Sequence, residues 1–156
     1  MLHRLFPSCP DDDFRGPRLA IWLFALVTCW RIGVALLHVI AADGGAQSIA
    51  RLPLDTYPPG AAQNVVALFA HLGVEQLAFG LLSLVALVRW RALLPFLYAL
   101  LLADALVGRL VASAKPLARA GPSGAATPLL ILTAITAIGF VLSLLGDRTD
   151  ARTRRT

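Results

Sequence analysis

Charge is scarce in this chain. Only 15% of its 156 residues are Asp, Glu, Lys or Arg, where a soluble domain carries about 25%. Lysine is nearly missing, since Lys115 alone accompanies thirteen arginines among the 14 basic residues. Cysteine is limited to Cys9 and Cys29, with no CxxC pair and no Cys/His metal spacing. That disfavours disulfide-exchange chemistry built on paired cysteines. Cys9 falls in a polar stretch and Cys29 inside an apolar run, so a bond between them is not expected. The opening residues lack the basic start and small-residue cleavage site of a secretory signal. Thr28 before Cys29 is bulkier than a lipoprotein cleavage site takes, and the apolar run continues past it.

Apolar residues are abundant instead. They make up 58% of the chain, and the mean hydropathy is +0.74, against about 45–50% apolar in soluble domains. The excess is gathered into runs at 19–42, 62–88, 92–114 and 126–146. About 20 apolar residues suffice for a helix to cross a bilayer. The fold expected is an all-α transmembrane four-helix bundle over 19–146. It has an N-terminal tail, 1–18, and a basic C-terminal tail, 147–156. Pro95 in the first turn of the third run is compatible with a helix start. Gly139 and Ser143 are four apart in the fourth run, a spacing that lets helices approach closely. The stretch 43–61, punctuated by Gly44-Gly45, Pro53 and Pro58-Pro59-Gly60, is a loop. It fits a headgroup-level connector better than a cap over the bundle mouth.

The net charge of +5 and pI near 10.2 do not point to nucleic acid, because the basic residues flank the apolar runs. They suit the bilayer and its anionic cytoplasmic headgroups. Outside the runs, nine basic residues fall on the side of both termini and three, Arg51, Lys115 and Arg119, on the other. Both termini are therefore expected in the cytoplasm. The Arg and Ala bias suits a GC-rich bacterial genome, hence a plasma (inner) membrane.

Ionisable residues inside the runs need a reason, because charge is costly at that depth. Arg31 lies 12 residues from the cytoplasmic start of its run, Glu75 lies 13 from its end, and Asp104 lies 12 from its start. At about 1.5 Å per residue, all three sit roughly 18–20 Å in. His71 and Arg109 lie further out, each 17 residues along, and His38 at 19. Asn64, His71 and Glu75 share one helical face, as do Arg31 and His38. The expectation is a polar pocket between helices 1–3, with Arg31 paired to Glu75 or Asp104 and one carboxyl protonated. Gln76, next to Glu75, joins this set. The plainer alternatives are a structural Arg31–Glu75 pair, packed histidines, and an Arg109 that snorkels to the surface. His38 and His71 lack a third metal ligand, so no metal site is expected.

The run Glu75-Gln76-Leu77-Ala78-Phe79-Gly80-Leu81-Leu82, then Arg89, Ala92-Leu93-Leu94 and Ala103, resembles the DoxX-like membrane proteins. The resemblance covers about 40 residues and the four-span layout, and Glu75 and Gly80 carry over. It implies a small bacterial inner-membrane protein. Some relatives are accessory subunits linked to thiol or oxidative-stress responses or to quinone-coupled oxidation. Three functional classes follow. The first is a non-enzymatic accessory or ligand-binding protein, with a partner subunit or homo-oligomer. The second is an enzyme or proton relay acting on a quinone- or sterol-like molecule through Glu75 and Asp104. The third is a small transporter subunit, disfavoured by the absence of inverted repeats. No bound cofactor is required, though a quinone or other lipophilic ligand is compatible with all three.

Overall fold

The computed structural model describes Leu5 and residues 11–145. The C-terminal tail and most of 1–10 lie outside that range, with Arg4, Cys9 and the four arginines of 147–156. Four helices follow in order: α1 Arg18–Ile40, α2 Pro59–Arg89, α3 Leu94–Ala114 and α4 Ala126–Leu144. Among the described residues there is no strand. All four helices are long and apolar enough to cross a membrane, α3 with the 3₁₀ turn Arg91–Leu93 before it.

The boundaries differ from the apolar runs at a few points. α2 starts at Pro59, three residues early, because proline suits a first helical position whose N–H is unpaired anyway. Residues 11–17 are not a free tail. The Ala92 N–H donates to the Asp11 carbonyl at 3.1 Å, and Asp12 lies 3.3 Å from Arg91. The segment is thereby held beside the α2–α3 turn.

The helices pack in the spatial order α2, α1, α4, α3, with α1 along α2 and α4 between α1 and α3. α2 and α3 meet sparsely. The side between them is a seam.

Small residues set these contacts. On α2, Gly73 faces the Ala35 carbonyl and Gly80 faces Ile32. Ser83 and Ala86 continue this buried face. Absent side chains let the two backbones approach and gain dispersion contacts. Between α3 and α4, Gly139 leaves room for the Tyr98 ring. Tyr98 is fully buried, packs edge-on against Phe24 at 5.0 Å, and donates its hydroxyl to the Ala20 carbonyl at 2.7 Å. Phe24, Val27, Ala86, Leu94, Leu97 and Leu101 complete this core.

The loop after α1 folds back as a cap rather than running as a plain connector. Asp43 accepts three backbone N–H groups, from Gly45 at 2.9 Å, Gln47 at 3.1 Å and Ser48 at 2.7 Å. Gly44 and Gly45 have φ of 58° and 80°, a region glycine enters without steric cost. Ala46, Leu52 and Leu54 then bury against the first turns of α2, around Val65, Val66 and Phe69. The Ala120 N–H donates to the Arg51 carbonyl and that of Gly124 to the Ile49 carbonyl. These bonds tie the cap to the α3–α4 loop.

Candidate functional site

Of the eight polar residues singled out in the sequence, the structure joins two. Arg31 Nη1 on α1 lies 3.0 Å from Asp104 Oδ2 on α3. The Phe79 ring of α2 lies under the guanidinium at 5.6 Å, a distance at which a ring face attracts a cation. Three helices therefore converge on Arg31. The pair borders the seam and is open: the Arg31 side chain is 21% exposed and that of Asp104 62%. Two donors nearby are unused. Among the described residues, Arg31 Nε is buried without a partner, and so is the Thr28 hydroxyl one turn earlier, in a residue 2% exposed. Buried polar atoms are rarely left unpaired, and exceptions invite an explanation.

Glu75 does not pair with Arg31. It is exposed on α2 and has no hydrogen bond or ion pair among the described residues. The reason is which face of α2 packs. Gly73 and Gly80 face α1, and Glu75 is about 200° and 140° around the helix from them. Height matters as well. Gly80 rests on Ile32, so residues 80–81 are level with Arg31, and Glu75 lies about 8 Å further toward the cap. Counting from helix ends missed this because α1 begins roughly a turn beyond the end of α2.

His38 is also not part of a network with Glu75 and His71. It is buried, and Nδ1 donates to the Gly44 carbonyl at 2.6 Å. A carbonyl only accepts, so Nδ1 carries the proton. Phe69 packs edge-on against its ring at 5.7 Å. His38 anchors the cap.

Asn64 and His71 share the face of Glu75, as their spacing indicates, but that face points outward. Gln76 is half-buried. Arg109 is exposed, within a stretch of α3 from Leu106 to Ala114 that is exposed throughout. The expected pocket among helices 1–3 thus contracts to Arg31, Asp104, Phe79 and Thr28 at an open seam. Among the described residues, no three His, Cys, Asp or Glu side chains gather as metal ligands.

Outside the helices, Asp43 is the perturbed acid. The Ser48 N–H, aided by those of Gly45 and Gln47, holds its carboxyl down at about 2, against partial burial that pushes it up.

Sequence reasoning missed Phe79, Thr28 and the Asp43 turn. Asp43-Gly44-Gly45 is a recognisable turn signal. Nothing in the sequence marks Phe79 or Thr28 apart from other apolar or small residues. No family model, curated protein or solved structure matches this chain.

Proposed function

We propose that this chain is a bacterial inner-membrane protein that binds a lipophilic molecule at the α2–α3 seam. It acts there as a non-enzymatic, DoxX-like accessory or ligand-binding protein. Four spans with both termini cytoplasmic are the arrangement its flanking arginines favour. The supporting observation is Arg31, gripped by Asp104 and Phe79 while its Nε has no partner among the described residues.

A mid-span Arg or Asp costs about 2.5–3.5 kcal/mol on insertion scales. Pairing the two offsets part of that cost. A purely structural pair gains most when both groups are enclosed, yet Asp104 remains 62% exposed. The seam therefore offers a cation and a carboxylate side by side, at the level of the acyl chains. That combination suits a small carbonyl- or hydroxyl-bearing head on an apolar tail, such as a quinone or a sterol-like molecule. The enzyme reading is weaker, because its two-carboxyl arrangement needed Glu75 beside Arg31.

The test is extraction of the full chain in mild detergent, followed by mass spectrometry of bound small molecules. Wild type should carry one lipophilic species in near-stoichiometric amount. Arg31→Gln should remain helical and lose it. Identical lipid content in the two would refute the reading.

A further inference from the structure

We propose that two copies of this chain pair along the outward face of α2, about a twofold axis along the membrane normal, with His71 of each copy hydrogen-bonded to Glu75 of the other. Alternating steps of four and three residues join Asn64, Leu68, His71, Glu75, Ala78 and Leu82. At about 100° per residue, all six fall within about 40° of one line along the helix. Gly73 and Gly80, which receive α1, lie about 160–180° from that line. All six residues are exposed. The cap does not cover them, since it rests on Val65, Val66 and Phe69, about 100–160° away. α2 thus turns a continuous face away from its own bundle.

A bilayer alone suits this face badly. Acyl chains cover Leu68 and Leu82 without penalty, but they offer nothing to an amide, an imidazole or a carboxylate. Ionisable groups within spans almost always turn toward protein or a water-filled cavity. Among the described residues, Asn64, His71 and Glu75 have no hydrogen bond or ion pair. Steps of four and three are also the spacing of a helix seam that receives a second helix. Left-handed contacts of that kind are the common ones between membrane helices, and Asn and His bond across them.

The occupant follows from the chemistry of the stripe. Every copy enters the membrane in the same sense, so two α2 helices that meet run parallel and a twofold axis relates them. In a parallel seam, residue 75 inserts between 71, 74, 75 and 78 of the facing helix, and residue 71 between 68, 71, 72 and 75. Each His71 therefore adjoins Glu75 of the other copy, and two imidazole-to-carboxylate hydrogen bonds form together. The Asn64 amide is donor and acceptor at once, so it pairs with its own image. Ala78, the smallest of the six, lets the backbones approach beside Glu75. An acid, a base and an amide on one line complement their own copy, which selects a second chain over an unrelated subunit. The pairing requires no bound ligand.

The test uses the full chain labelled at its C-terminus with donor or acceptor dyes, in phosphatidylcholine–phosphatidylglycerol vesicles. Wild-type copies should show energy transfer that depends on the protein-to-lipid ratio. His71→Leu and Glu75→Leu should each weaken association by about tenfold or more, since each removes both hydrogen bonds. Leucine suits lipid, so both variants should keep wild-type helical content by circular dichroism. A chain with Cys9→Ser and Cys29→Ser locates the face. With Ala78→Cys added it should form a disulfide-linked dimer on oxidation in the same vesicles. With Leu110→Cys added, at an exposed position on α3, it should not. Monomeric wild type would overturn the proposal, as would leucine variants that associate like wild type, or cross-linking at 110 in preference to 78. No ligand is added in either assay, so a monomeric result leaves the seam reading standing.

Discussion

Adding one methyl group at Gly139 should damage this bundle more than its size suggests. A Cβ there would strike the hydroxyl end of the Tyr98 ring. Tyr98 cannot easily yield. It is fully buried, packs edge-on against Phe24, and is tied by its hydroxyl to the Ala20 carbonyl. Relief requires either losing that hydrogen bond, worth about 0.5–1.5 kcal/mol, or parting α4 from α3. Overpacking of this kind costs about 1–3 kcal/mol. Gly139→Ala should therefore destabilise by about 2 kcal/mol, even though alanine favours helix by up to about 1 kcal/mol over glycine. Gly108→Ala is the control, since nothing lies near its missing side chain; it should be neutral or stabilising. The assay is thermal unfolding in one detergent, followed by circular dichroism. A Gly139→Ala/Tyr98→Leu double variant should be more stable than the sum of its single effects, because the shorter side chain vacates the contested space. Equal behaviour of Gly139→Ala and Gly108→Ala would refute this packing.

Other substitutions probe the remaining contacts. Gly73→Ala should cost more than Gly80→Ala in the same assay, because the first meets both the His38 Cβ and the Ala35 backbone carbonyl and the second the Ile32 Cγ1 alone. Asp43→Ala should leave three N–H groups without their acceptor and cost about 1–2 kcal/mol, as for a lost helix cap, with faster hydrogen exchange at 44–48 and little change in the helices. The Asp43 carboxyl is held at about 2, below its usual 3.8, so folding favours its charged form. That contribution is complete above pH of about 4 and fades as pH falls toward 2. Exchange protection in the cap should follow this course in wild type and not in Asp43→Asn. His38→Leu should leave the Gly44 carbonyl unpaired and cost about 1–3 kcal/mol, loosening the cap before the bundle.

The sequence makes the four helices legible because apolar length alone demands them. It also makes Arg31–Asp104 legible, since opposite charges at one depth on different helices attract. Glu75 was misplaced by a sound rule applied to the wrong face. Intramembrane polar residues usually turn inward, but on α2 the small residues Gly73, Gly80, Ser83 and Ala86 hold the inner face. Close backbone approach along that stripe fixes how α2 is rotated, and Glu75, His71 and Asn64 take the opposite side. Interhelical register was illegible for a related reason. It depends on which small residue receives which neighbour, as Gly80 receives Ile32, and no count from a helix end contains that pairing. His38 looked like a network member because the folded cap that claims it is built from backbone bonds to Asp43.

The most direct measurement is a pair of double-mutant cycles on thermal stability, one joining Arg31→Gln with Asp104→Asn and the other joining Arg31→Gln with Glu75→Gln. The first should show a coupling of about 1 kcal/mol, as measured for polar pairs between membrane helices, and the second none. Coupling of Arg31 to Glu75 and not to Asp104 would contradict the arrangement on which the seam depends.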